Sequence, residues 1–244
     1  MMRVRAACHV HSDWSYDGKW PLEKLAEGFS KRGYQVLLMT EHDRGFDETR
    51  RLQHREACRK ASTEQMLLVP GIEYSDKANC VHTLVWGNVP FVGVDAETEQ
   101  VLAAVTSHQA VGVMAHPSRR QAWRVFKAAW GAKLLGIELW NRKTDGWAPS
   151  RDAAPLLEMT GALPFAGLDF HERRQFFSLA MILEVEPPLS EAAVLAAMIA
   201  RRCCSEAFGR PMERFSSGLA NKTLNAMEFC RRAAAPVYRK IRPS

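Results

Sequence analysis

The strongest constraint on the fold is a switch in hydrophobic period, repeated along most of the chain. Short apolar runs with strand character (Val4–His11, Gln35–Thr40, Met66–Ile72, Val81–Trp86, Val111–Ala115, Leu135–Trp140, Pro164–Leu168, Ser178–Val185) alternate with helix-like stretches. The latter are Leu22–Lys31, Glu48–Ser62, Glu97–His108, Ala122–Trp130, Arg151–Met159 and Glu191–Arg201. Alternating units of this kind imply a mainly parallel sheet or a barrel. Six or seven of them predict an α/β fold closed as a barrel, because each right-handed crossover returns to a neighbouring strand. Ser150 and Ser190 stand where N-caps are needed, and Gly33, Gly112 and Gly161 mark helix ends or the turns after them. No repeat or linker divides the chain; at most a small C-terminal appendage begins near Phe208–Pro211.

With 47% hydrophobic and 25% charged residues over 244 positions, the chain is neither disordered nor fibrous. Its longest apolar stretches, Leu179–Leu183 and Ala192–Ala200, fall well short of the roughly 20 residues of a membrane span. The start lacks the apolar run of a secretory signal, so a cytoplasmic protein is expected. Six scattered cysteines, the vicinal Cys203–Cys204 among them, form no CxxC pair or zinc-finger spacing and read as reduced thiols. The net charge of +6 is uneven. Residues 201–244 carry ten Lys/Arg against Glu206, Glu213 and Glu228, which makes the rest of the chain close to neutral. Such an end either meets a polyanion or is simply solvated.

Polar residues with chemistry sit at the strand ends. His9 and His11 are two apart on the first strand, so alternation sends both imidazoles to one side, with Cys8 and Val10 facing the other. Asp17 follows in a turn before Gly18. His42 comes just after the run Val36–Met39, Glu73 ends Leu68–Ile72, and His82 opens Val81–Trp86. His116 precedes the strand-stopping Pro117, and Asp169 and His171 close Phe165–Leu168. Six of the eight histidines lie in or at the ends of strands; only His54 and His108 fall on helices. The C-terminal strand ends of a parallel α/β barrel converge on one rim. Imidazoles and carboxylates buried there without partners would be costly, and a multivalent metal is their natural partner.

The segments His9-Val10-His11-Ser12, Thr40-Glu41-His42, Gly71-Ile72-Glu73-Tyr74, Ala115-His116-Pro117 and Gly167-Leu168-Asp169-Phe170-His171 resemble, in order, the motifs of the PHP (polymerase and histidinol phosphatase) family. The resemblance covers roughly residues 3–205, and its one departure is Glu41, where Asp is commoner. It implies a distorted (β/α)7, TIM-like barrel over residues 1–205, with 206–244 as a basic extension packed on or trailing from it. It also implies two to three divalent ions of zinc, manganese or iron. Carried over position by position, His9, His11, Glu73 and Asp169 would hold the first ion, and Asp17, His42 and His171 the second. Glu73, His82 and His116 would hold the third, with Glu73 bridging.

Three such ions against three carboxylates leave a site of about +3, matched to a phosphate dianion. The expected reaction is hydrolysis of a phosphoester in a small phosphorylated metabolite or nucleotide. A metal-bound water loses its proton near neutral pH and attacks phosphorus in line, with no side-chain nucleophile. Arg119, Arg120 and Arg142 lie just past strand ends and are expected to fork the phosphate, while Trp140 and Trp147 are candidates to stack on a base or sugar. The basic end supports an alternative, an exonuclease acting on oligonucleotide ends. A reading of another class, a non-catalytic metal-stabilised binding module, is opposed by the full, shared ligand set. The chain is too short to carry a polymerase beside the barrel.

Overall fold

The computed structural model describes residues 1–241, with side chains described through Ala235. Twelve strands form one sheet: β1 (Met2–Val10), β2 (Val36–Met39), β3 (Glu41–His42), β4 (Leu67–Val69), β5 (Gly71–Ser75), β6 (His82–Trp86), β7 (Val111–Ala115), β8 (Gly136–Asn141), β9 (Leu163–Phe170), β10 (Leu179–Val185), β11 (Cys203–Ala207) and β12 (Arg210–Pro211). The helices are α1 (Leu22–Ser30), α2 (Glu48–Ala61), α3 (Thr98–Ser107), α4 (Ala128–Gly131), α5 (Arg142–Asp145), α6 (Ala153–Thr160), α7 (Glu191–Ile199), α8 (Glu213–Ser216) and α9 (Gly218–Ile241). No helix among the described residues is long and apolar enough to cross a membrane.

The strand β1 organises the sheet. Its first half pairs antiparallel with β10, while its second half pairs parallel with β2 on one side and β9 on the other. From β9 the order continues through β8, β7, β6 and β5 to β3, and β2 also pairs with β4. All four residues of β2 are buried, the continuous apolar run expected of a strand covered on both faces. Helix α1 lays Leu22, Leu25, Ala26 and Phe29 inward at helical spacing, and Phe29 meets Tyr34 and Phe170 edge-on. Asp47 caps α2 by accepting from Arg50 N at 2.7 Å, and Ser190 caps α7 by accepting from Ala193 N.

The structure is thus a mixed α/β fold, and in several places it departs from the sequence expectation. The sheet is less parallel than the periodicity suggests, since β6 runs antiparallel to both β5 and β7. The short link 76–81 between β5 and β6 allows only a hairpin, because a parallel return needs a dozen or more residues. Ala122–Trp130 is not one helix. A short 3₁₀ turn over Arg119–Arg124, with Arg120 and Gln121 at φ of +50° and +58°, is followed by the four-residue α4. Gly112 lies inside β7 rather than at a turn, where it leaves room for Val105 of α3. Gly161 is the left-handed C-cap expected after α6. Residue 205 falls within β11, which with β12 extends the sheet before α9 follows; the side chains of Arg239, Lys240 and Arg242 in the basic segment lie outside the described residues.

Candidate metal centre

Local backbone geometry aims the first ligand candidates. Simple alternation along β1 does not hold at His9: the register against both β2 and β9 shifts between Cys8 and Val10, and His9 takes φ +63°. Asp169 on β9 is at φ +51° and His116, just past β7, at φ +26°. Non-glycine residues in this region cost on the order of 1–3 kcal/mol each, and bulges of this kind re-aim side chains next to functional sites. With the bulge at His9, both His9 and His11 still reach one cluster, their ring centroids 5.1 Å apart.

All nine residues named from the sequence meet there. Glu73, 1% exposed, is the hub. Its Oε2 lies 3.3 Å from His9 Nε2, 3.4 Å from His11 Nε2 and 3.1 Å from His42 Nδ1, and its Oε1 lies 2.7 Å from His82 Nδ1 and 3.0 Å from His116 Nε2. Asp169 Oδ1 is 3.8 Å from His9 Nε2, 3.7 Å from His11 Nε2 and 3.4 Å from His171 Nδ1. Asp17 joins His42 and His171, at 3.3 and 3.1 Å. Three triplets hold one donor atom each within 4.8 Å of the others: His11–His42–His171, His9–Glu73–His116 and His9–His11–Asp169. The geometry therefore adds His11 to the His42–His171 pair. The remaining histidines lie apart, His54 against Glu41 and Cys58, and His108 exposed at the end of α3.

Only part of this closeness is hydrogen bonding: Glu73 Oε1 pairs with His82 Nδ1 and His116 Nε2, but other atoms of the cluster have no such partner. His9 Nε2, His11 Nε2, His42 Nε2, His116 Nδ1, Glu73 Oε2 and Asp17 Oδ1 are buried without a hydrogen-bond partner. Each orphaned group of this kind costs roughly 1–3 kcal/mol, so the residues fit a set of cations that would satisfy several at once. The electrostatics point the same way. Burial works against charge on Glu73, yet His9, His82, His116 and His42 hold its carboxyl well below the usual carboxylate range. Burial likewise disfavours charge on His42, but Asp17 and Glu73 raise it to about 10. His11 goes the other way, pushed down by burial and by the charges of His171 and His42.

Around this cluster a cavity of about 230 Å³ is lined by Tyr16, Arg44, Asn79, Arg119, Lys143 and Thr144 together with six of the nine residues. Arg119 reaches it, donating to Asn79 O at 2.9 Å and Asn79 Oδ1 at 3.1 Å. Arg120 instead donates to Ala78 O, and Arg142 lies over the Phe177 ring at 4.9 Å. Trp140 is fully buried, donates to Gly146 O and packs among Phe177, Phe208 and Phe215, so it is a core residue and not a stacking platform. Trp147 faces α9, not the cluster. Two charged residues escaped the sequence reading, Arg44 and Glu138, and in the segment after β8 it is Lys143 rather than Arg142 that reaches the cluster. Lys143 Nζ stands 3.2 Å from Asp169 Oδ1, and Arg44 lines the cavity. Glu138, buried in β8, contacts His9. A lone acid inside the apolar run Gly136–Trp140 was the available signal for Glu138.

No protein-family model matches the chain, and no curated protein matches it in sequence. Solved structures do match in shape. A two-domain protein from Bacteroides vulgatus that contains a predicted PHP-like metal-dependent phosphoesterase superposes with a TM-score of 0.66 at 16% identity, over 84% of this chain and 65% of its own. The chain has the fold of PHP-like phosphoesterases. PsfC from Pseudomonas syringae matches at a TM-score of 0.64 and 14% identity, over 93% of this chain and 100% of its own. The lesion-specific endonuclease EndoQ from Pyrococcus furiosus matches at 0.56 and 15%, over 82% of this chain. The chain spans 65% of the first of these proteins and 56% of the endonuclease. The PHP resemblance read from five short motifs therefore has a counterpart in the fold.

Proposed function

We propose that this chain hydrolyses phosphoesters of a small phosphorylated metabolite or nucleotide. In this reading residues 1–205 form a distorted (β/α)7 barrel whose His9, His11, Asp17, His42, Glu73, His82, His116, Asp169 and His171 hold two to three divalent ions. The observation that carries it is the group of buried, unpartnered nitrogens and oxygens converging around Glu73. Zinc, manganese or iron bound there would supply Lewis acidity, neutralising phosphoryl oxygens and bringing the pKa of a water towards neutrality. The PHP-like phosphoesterase and the endonuclease among the structural neighbours support the same reaction class.

The other cavity residues bind and orient. Arg119 is held by Asn79, with Nη1 also 3.0 Å from His82 Nε2, so its guanidinium is fixed at the cavity with little entropy left to lose. Lys143, 40% exposed at the cavity, is a point charge for a phosphoryl oxygen. The Tyr16 ring stacks on His42 with centroids 5.0 Å apart and covers that side of the cluster. A cavity of about 230 Å³ suits a phosphoryl group with a modest leaving group. The likeness to the endonuclease is compatible with a second reading, a nuclease, of which an exonuclease acting on oligonucleotide ends is the form the basic C-terminal segment suggests.

The test is hydrolysis of an aryl phosphate, of mononucleotides and of short oligonucleotides with added Mn²⁺ or Zn²⁺, by the native chain and by His9→Ala. Turnover by the native chain that His9→Ala loses supports the reading. Equal, negligible turnover of all substrates by both points instead to a binding module. Activity on oligonucleotides that falls steeply with salt, without the same fall for mononucleotides, selects the nuclease.

A further inference from the structure

Glu138 belongs to none of the proposed ligand groups, yet it is fully buried beside them. Its Oε1 accepts from His9 Nδ1 at 2.9 Å. Its Oε2 accepts from the backbone N of His116 at 2.7 Å and from Asn141 Nδ2 at 2.8 Å. Both oxygens are thus engaged by N–H donors. The seat is built for this carboxylate: on the adjacent strand β9, a Cβ added at Gly167 would lie 1.7 Å from Glu138 Oε1. Asn141 cannot turn its amide round to help, because its Oδ1 accepts from Thr144 N at 2.9 Å and caps α5.

We infer that Glu138 is a positioning residue for the metal cluster: it fixes His9 in the tautomer that presents Nε2 to the ion and pins the backbone of His116, without itself touching metal or substrate. The inference rests on the metal reading of the cluster. A carboxylate only accepts hydrogen bonds, so Nδ1 of His9 carries a proton, and Nε2, the orphaned atom facing Glu73 and Asp169, is the nitrogen left to offer a lone pair to an ion. The same carboxylate ties β8 to His116, a residue at φ +26° whose own side chain faces Glu73. One group thereby sets two ligand candidates from two different strands.

Glutamine is isosteric but one acceptor short. With its oxygen towards His9, its NH₂ would face two other donors. With its NH₂ towards His9, it would force Nδ1 to accept and would place the proton on Nε2. Outer partners of this kind typically change metal affinity by about 10- to 100-fold. Glu138→Gln is therefore expected to weaken Zn²⁺ or Mn²⁺ binding by that factor, measured by competition with a chromophoric chelator, and to recover most activity at saturating metal. The double variant Glu138→Gln, Asn141→Asp gives the new NH₂ an acceptor and is expected to regain part of the lost affinity. Native-like affinity in Glu138→Gln, or a double variant weaker still, overturns the inference. If the native chain itself takes up no metal, the functional reading fails first. Should Glu138→Gln not fold, ¹⁵N histidine spectra of the native, metal-loaded chain decide: His9 is expected to be protonated at Nδ1 and metal-bound at Nε2, and the opposite assignment refutes the role.

Discussion

Two regions of this molecule carry concentrated charge, and they use it in opposite ways. In the cluster around Glu73, six imidazoles and two of the three carboxylates are buried, Asp17 being partly exposed, and several atoms are left unpartnered. In the C-terminal segment, Glu228 is saturated. It accepts from Arg231 at 2.6 and 2.7 Å, from Arg232 at 2.6 Å and from Trp147 N at 3.0 Å, which ties α9 to the loop after α5. Gly146, at φ +76°, leaves room for that carboxylate. The formal charge of the C-terminal segment drew attention in the sequence, but part of it serves as a fastening. Unsatisfied buried atoms mark a site that waits for a ligand; a charge that already has its partners marks architecture.

This contrast can be broken most directly at its hub. Glu73→Gln removes the charge that five imidazoles face and is expected to lower both metal content and phosphoester turnover by more than about 100-fold. Elemental analysis and steady-state kinetics on the same preparation check it, and retained metal with full turnover would remove Glu73 from the centre. Next come the cavity cations. Lys143→Ala and Arg119→Ala should each raise KM for a phosphorylated substrate roughly 10-fold while changing metal content little. A loss of metal without a change in KM would make them props for Asp169 and His82 instead.

A smaller effect is expected at the seam between the two regions. Burial, with the charge of Glu138 added, raises Asp145 to about 8, so the folded chain keeps a proton that the unfolded chain releases near pH 4. That contribution is complete below about pH 4 and is lost as pH rises towards about 8, on the order of a few kcal/mol in all. Asp145→Asn should flatten this decline in chemical denaturation between pH 5 and pH 8; an unchanged slope would show that Asp145 titrates normally. The smallest change belongs to the saturated region. Glu228→Gln should cost about 1 kcal/mol and leave turnover within roughly two-fold, because both arginines can return to solvent. A large loss of activity there would mean that α9 shapes the site.

How much of this was legible beforehand follows from what each feature depends on. Most of the nine cluster residues were readable because they lie in or at the ends of apolar runs, and strand ends gather in space whatever the intervening loops do; Asp17, in a turn, was readable only by its place after His9 and His11. The fold class was readable from the same alternation. The bulge at His9 was not, since a backbone dihedral leaves no trace in residue type unless glycine is used. The direction of β6 hung on the length of one short link. Arg120 and Arg142 sat at plausible positions, but whether a guanidinium faces the cavity or turns to Ala78 O or the Phe177 ring is decided by packing. Glu138 and Gly167 become meaningful only as a pair, and they meet only once β8 and β9 lie side by side.

The most direct test is elemental analysis of the chain purified without chelator and then equilibrated with Zn²⁺, Mn²⁺ or Fe²⁺. Two to three ions per chain are expected, and fewer in Glu73→Gln at equal protein concentration. A correctly folded chain that emerges metal-free and takes up none of these ions would contradict the account at its base.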